Sequence, residues 1–115
     1  MKKKILVTGG AGFIGSHLCE KLAQDKNNEV YSLDNYTTGS VDNHVENVEY
    51  IAGSTVDIES LISFTPEFIY HLGEYSRVEQ SFEDINVVWN SNIYGIFSIL
   101  EFTRKTGAKI IYAGS

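Results

Sequence analysis

Several things are scarce in this sequence, and each scarcity excludes something. There is one cysteine, Cys19, so no disulfide can form within the chain. There is one proline, Pro66, and no Pro- or Ser-rich run that would mark a linker. Positive charge is short as well: nine Lys and Arg stand against fifteen Asp and Glu, for a net charge of −6. A nucleic-acid surface needs clustered Lys and Arg, so this balance argues against that class of partner and none is expected. Lys2, Lys3 and Lys4 form the single basic cluster and read as a solvated N-terminus. No apolar run is long enough to span a membrane, and Gly9 interrupts the stretch after the lysines too early for a signal peptide. A cytoplasmic protein is expected, with Cys19 a partly buried helix residue rather than a nucleophile. His17, His44 and His71 lack ligand spacing with each other or with Cys19, so no metal is expected. His17 is expected at the surface or in an interface, and His71 in a hydrogen-bonded packing role at a strand end.

Hydrophobic residues are present in quantity, at 43% of 115 residues, enough for the core of one domain. Short apolar runs at residues 4–7, 30–33, 48–52, 68–72 and 109–113 predict five strands. From residue 12 on, Ile14, Leu18 and Leu22 recur at helical spacing, and Asn27 and Asn28 end that helix. Residues 35–47 are polar and aperiodic, hence a loop. Residues 57–64 predict a short helix, capped near Ser54 or Asp57 and stopped by Pro66. Residues 87–105 predict a long helix whose buried face is Ile93, Ile96, Phe97 and Leu100, with Gly107 as its C-cap. Strands alternating with helices or crossovers predict an α/β fold: a Rossmann-type doubly wound parallel sheet of about five strands, order 3-2-1-4-5.

The densest signal is "TGGAGFIG", residues 8–15, lying between the first strand and the first helix. In that context each glycine has a reason. Gly9 permits a tight turn, Gly12 lets the backbone approach a pyrophosphate, and Gly15 lets the helix pack close to the strand. The helix N-terminus supplies unpaired N–H groups and partial positive charge, so even an acidic chain can hold phosphate there. Asp34 ends the second strand about twenty residues beyond Gly15, the spacing of a carboxylate that accepts from ribose hydroxyls. No Lys or Arg occurs among residues 35–38 to pair with a 2′-phosphate, which favours NAD over NADP. The competing interpretation is a bare strand–helix turn followed by a strand-ending carboxylate.

These residues, with Asn35 after Asp34, resemble the extended short-chain dehydrogenase/reductases, specifically the nucleotide-sugar epimerase/dehydratase group. The likeness runs the length of the chain. "HLGEYSRVEQSFED" (residues 71–84), "NIYGIFSILE" (92–101) and "IIYAGS" (110–115) are similar to the family's segments after the fourth strand, in the long helix and along the fifth strand. The resemblance implies tightly held NAD, a nucleotide-sugar substrate and transient oxidation of a sugar hydroxyl by hydride transfer. It implies that Phe13 and Ile14 give backbone N–H groups to the pyrophosphate. Asn35, Thr38, Gly39 and Ser40 would lie along the adenosine half. Leu72, Gly73 and Glu74 would pass beside the cofactor, Glu74 being either a substrate-specificity residue or a solvent-facing carboxylate. Asn92, or its neighbour Ser91, would hydrogen-bond near the active site, and Ser115 would be the catalytic hydroxyl. The family usually carries an Asp after the third strand, at the adenine; here "GSTVDI" offers Ser54, with Thr55 beside it, or Asp57. A homodimer is implied, in which helices of two subunits pair and Trp89 and Tyr94 could take part.

The family's proton-transfer motif, Tyr-x-x-x-Lys, has no match in these residues. Tyr31, Tyr36, Tyr50, Tyr70, Tyr75 and Tyr94 are followed four positions later by Asn, Ser or Glu, and Tyr112 stands one residue too close to the last position to test. The expectation is therefore a cofactor-binding front part over residues 1–115, without the substrate-binding region and inactive by itself. The alternative is a non-catalytic NAD-binding sensor or oligomerisation module. "KIIYAGS" carries no edge-blocking charge beyond Lys109 and looks like a strand awaiting a neighbour.

Overall fold

The computed structural model describes residues 2–36, 39–72 and 85–112, with backbone only for 85–95 and 112. Five parallel strands form one sheet in the order β3-β2-β1-β4-β5. They are β1 (Lys3–Thr8), β2 (Asn28–Asp34), β3 (Val48–Ala52), β4 (Phe68–His71) and β5 (Lys109–Tyr112). Among the described residues the α-helices are α1 (Phe13–Ala23), α2 (Ile58–Leu61) and α3 (Ile85–Thr106). The expected doubly wound topology is thus the one adopted.

Strand alternation sorts β1 between two cores. Ile5 and Val7 pack with Cys19 and Val30 beneath α1. Leu6 points the other way, to Leu33, Ile58, Ile69, Ile99 and Phe102 beneath α2 and α3. Leu6 is wholly buried, and a buried leucine contributes about 1.5–3 kcal/mol. The register brings the carboxyl ends of the strands to one edge: Thr8 lies beside Leu33 and His71, and Asp34 beside Ala52. Ligands of open α/β sheets bind at that edge.

Four expectations need correction. The long helix does not bury Phe97 or Leu100, which are 68% and 51% exposed; Ile99 and Phe102 make the contact, and Ile96 is half-buried. Apolar residues occupy more than one face of α3, so periodicity could not choose among them. Position against the sheet did: Ile99 and Phe102 join Leu6, Ile58 and Ile69 in one buried cluster, with the Lys105–Glu59 ion pair of 2.6 Å and the bond from Ser98 Oγ to Val56 O at 3.2 Å at its margin. Ile14 heads the predicted stripe of the first helix but is 71% exposed; Gly15, packed on the glycine turn, and Cys19 are the buried residues. Cys19 is fully rather than partly buried. The helix expected over 57–64 is a 3-10 turn, Thr55–Asp57, followed by the single turn α2. Ser54 caps it by accepting from Val56 N–H, whereas Asp57 makes no side-chain cap. Gly107 ends α3 at φ 75°, its N–H on Thr103 O at 2.9 Å.

Candidate cofactor site

The glycine turn begins where β1 ends. Gly9 adopts φ 78°, and its N–H donates to Leu33 O at 2.7 Å, tying the turn to β2. Gly15 must be glycine for a close approach: a Cβ there would overlap the carbonyl oxygen of Gly9. The first helix therefore seats on the turn itself. Gly12 differs. Its backbone is extended, and an added Cβ would meet only Gly9 O, at 3.4 Å. Among the described residues no other atom lies within 4 Å of that position, so none of them fills the space.

The start of α1 is chemically unfinished. Gly12 occupies the N-cap and offers no side chain to the free N–H groups, and no acidic residue lies in the first turn. Such a helix end carries unpaired donors and partial positive charge. Phe13 and Ile14 stand beside it with exposed side chains; Phe13 contacts His17 edge-on at 4.9 Å.

Asp34 is buried next to this turn. Its Oδ2 accepts from Ala11 N–H at 3.0 Å and its Oδ1 from Tyr36 N–H at 2.8 Å. The following loop folds back over the turn: Ser40 N–H and Asn43 Nδ2 both donate to Ala11 O, at 3.0 and 2.8 Å. Gly39 passes so close to Asp34 that a Cβ would lie 2.8 Å from Oδ2. Tyr36 is held in the left-handed region, φ 61°, and shares a 2.7 Å hydrogen bond with His44 Nε2. His44 stacks on Tyr50, whose hydroxyl accepts from Val45 N–H at 2.8 Å. Burial, and secondarily the Asp34 charge, push the Tyr36 hydroxyl pKa upward. Burial and Asp34 together push the Cys19 thiol up to about 12. Cys19 stays protonated at neutral pH and is no nucleophile.

A small cleft of about 20 Å³ lies between Gly9, Leu33, Asp34, Asn35, Gly53, Ser54 and Thr55. That is room for one water-sized group, so a larger ligand must lie across its mouth. On the other side of β1, Thr8 Oγ1 shares a 2.7 Å hydrogen bond with His71 Nδ1 and accepts from Leu72 N–H at 3.0 Å. A wider open depression of about 970 Å³ sits near Lys26, Glu29, Asn47 and Glu49. It lies at the amino ends of β2 and β3, away from the glycine turn and from the edge where such sheets bind ligands.

The structure thus brings together Gly9, Gly12, Phe13, Ile14, Gly15, Asp34, Asn35, Gly39, Ser40, Ser54 and Thr55 around the carboxyl ends of β1, β2 and β3, with Leu72 at the end of β4. Asp57 does not line the cleft. Thr38, Gly73, Glu74 and Ser115 lie outside the described residues; Asn92, Trp89 and Tyr94 lie on α3 with side chains outside them. Sequence reasoning missed Ala11, whose N–H and C=O anchor Asp34 and the loop; "TGGAGFIG" gave no sign, because both are backbone groups. It also missed the His44–Tyr50 stack. Among the described residues, no three His, Cys, Asp or Glu side chains gather as a metal site, and no helix is long and apolar enough to cross a membrane.

The family model described as NAD dependent epimerase/dehydratase matches residues 5–115. The chain belongs to that family. It is 36% identical over 111 residues to UDP-glucuronic acid decarboxylase 6 of Arabidopsis thaliana, a match covering 94% of this chain and 32% of the relative. Among solved structures it resembles the UDP-glucose 4-epimerase of Thermotoga maritima with UDP-glucose: TM-score 0.87, 35% identity, 97% of this chain and 38% of that one. The UDP-glucose 4-epimerase of Thermus thermophilus in complex with NAD gives TM-score 0.86 and 34% identity, over 97% of this chain and 37% of that one. The chain therefore spans about a third of the length of this curated relative. NAD is the cofactor named for the family, and the uncapped helix end, the open space at Gly12 and buried Asp34 fit a dinucleotide.

Proposed function

We propose that this chain is the N-terminal, NAD-binding part of a nucleotide-sugar epimerase or dehydratase. The observation that carries the proposal is the uncapped start of α1 facing open space beside Asp34. Phe13 and Ile14 N–H groups hold the pyrophosphate, with Gly9, Gly12 and Gly15 allowing the approach. Asp34 and Asn35 take the adenine ribose, Thr38, Gly39 and Ser40 run along the adenosine, and Ser54 and Thr55 meet the base. Leu72, Gly73 and Glu74 flank the nicotinamide half.

Bound NAD would accept a hydride from the carbon bearing a sugar hydroxyl and later return it. Ser115 hydrogen-bonds that hydroxyl, and Asn92 supports the site. Tyr31, Tyr36, Tyr50, Tyr70, Tyr75 and Tyr94 are not followed by Lys four positions on, and we place the group that takes the hydroxyl proton, a Tyr assisted by a Lys, outside residues 1–115. We accordingly assign residues 1–115 to the cofactor-binding part, with no turnover by themselves. The exposed pair Phe97 and Leu100 on α3 supports helix pairing in a homodimer. The lone buried thiol suits a reducing compartment, and we place the protein in the cytoplasm.

Calorimetric titration of the chain with NAD and with NADP tests the proposal. NAD should bind, and NADP should bind at least about tenfold more weakly, because Asp34 repels a 2′-phosphate. Absence of NAD binding by folded protein would sink it. Turnover of a UDP-sugar by the 115-residue chain would sink the assignment of the proton-transfer groups elsewhere.

A further inference from the structure

Tyr36 stands in a backbone conformation that a tyrosine rarely takes. Its φ is 61°, a left-handed value that glycine or asparagine adopts far more readily. Contacts at both ends of the residue hold it there. Its N–H donates to Asp34 Oδ1 at 2.8 Å, and its hydroxyl shares a 2.7 Å hydrogen bond with His44 Nε2. His44 in turn lies flat on Tyr50, with ring centroids 3.6 Å apart and planes 8° from parallel. Tyr50 belongs to β3, and its hydroxyl accepts from Val45 N–H at 2.8 Å. The two ends of the loop after β2 are therefore fastened to each other and to β3.

What lies between these fastenings is seated on the glycine turn. Ser40 N–H and Asn43 Nδ2 both donate to Ala11 O, and a Cβ on Gly39 would lie 2.8 Å from Asp34 Oδ2. Tyr36, His44 and Tyr50 do not line the cleft at Asp34. Their effect on a ligand there runs through the seat of the loop. A loop already held in place loses less freedom when a ligand arrives, so fastening it raises affinity. The Tyr36–His44 bond is exposed to water, which keeps the gain moderate.

We infer that Tyr36, His44 and Tyr50 form a clasp that seats the loop after β2 on the glycine turn, and that His44 is a positioning residue for the dinucleotide site. The clasp stands on protein contacts alone; its consequence for affinity rests on the NAD-binding proposal above.

Amide hydrogen exchange of the chain without added nucleotide tests the clasp, and calorimetric titration with NAD tests its consequence. His44→Ala removes both bond and stack, His44→Phe keeps the stack, and Tyr36→Phe removes the hydroxyl alone. In His44→Ala the Ser40 amide should exchange about tenfold faster, with the β1 amides of Leu6 and Val7 changing less. NAD should bind that variant about five- to tenfold more weakly. His44→Phe and Tyr36→Phe lose the same bond, so each should weaken NAD by about threefold, and the double variant by no more than either.

Unchanged Ser40 exchange in His44→Ala overturns the clasp, whatever happens to NAD. Faster exchange with NAD affinity within about twofold of wild type overturns the positioning role. A double variant weakened by about ninefold, the product of two independent losses, overturns the pairing of Tyr36 with His44. Failure of folded wild type to bind NAD overturns the NAD proposal and the positioning role together, while Ser40 exchange still decides the clasp. Should His44→Ala not fold, the two phenylalanine variants decide by the same measurements.

Discussion

Asp34 Oδ2 accepts the backbone N–H of Ala11 at 3.0 Å. The glycine turn and the carboxylate at the end of β2, read separately along the chain, are one hydrogen-bonded unit. The carboxylate holds the turn in place while Ala11 O receives the loop that closes beside it.

Replacing Asp34 with Ala should therefore damage structure as well as binding. It strands the amides of Ala11 and Tyr36, and an unsatisfied buried donor costs about 1–3 kcal/mol. The urea midpoint should fall by an amount equivalent to about 2–4 kcal/mol, and NAD affinity should drop with it. A variant as stable as wild type would show that the two hydrogen bonds matter little.

Gly12 and Gly15 should behave oppositely. Gly15→Ala forces a methyl onto the Gly9 carbonyl and should destabilise by about 3 kcal/mol or more. Gly12→Ala meets only Gly9 O at 3.4 Å in extended backbone. It should cost at most about 1 kcal/mol of stability, the loss of a glycine N-cap, while NAD titration heat is lost. Equal NAD binding by Gly12→Ala would remove the pyrophosphate from this turn.

Cys19 should resist thiol reagents at pH 8 until denaturant is added, since its side chain is buried. Its folded pKa is raised from 9.0 to about 12. The raised value favours the thiol, so its contribution is intact below pH 9.0 and is lost as pH rises toward about 12. Stability should decline by up to about 1.4 kcal/mol per pH unit in that window. The raised Tyr31, Tyr36 and Tyr50 act in the same direction. Melting temperatures from pH 8 to 11 measure the slope, and Cys19→Ala should flatten it.

Ser32 Oγ is buried with no hydrogen-bond partner among the described residues. It lies under Gly10, where a Cβ would overlap it. Removing an unpaired buried hydroxyl relieves a desolvation cost, so Ser32→Ala should be neutral or stabilising by about 1 kcal/mol. A clear loss in thermal midpoint would mean that the hydroxyl holds a partner in solution.

Local chemistry was legible in the amino-acid order. Gly9 and Gly107 lie at positive φ, which glycine alone adopts without cost, and both were recognised as a turn and a cap. Five apolar runs separated by helices or crossovers dictated a parallel sheet, and the crossover rule then left few strand orders. The pairing of a glycine turn with Asp34 was visible because both lie at strand ends a set distance apart. Tertiary structure decided the rest. Phe97 and Ile99 are equally apolar, and only the seating of α3 against the sheet buries one and exposes the other. Ser54 stood at the expected place, with Asp57 open for a longer loop; the 3-10 turn leaves Ser54 lining the cleft and Asp57 outside it. The anchoring of Asp34 and the loop by Ala11 depends on backbone groups that every residue carries, so no residue type announces it. The His44–Tyr50 stack joins the loop to β3, a contact that exists only once the chain between them has folded back.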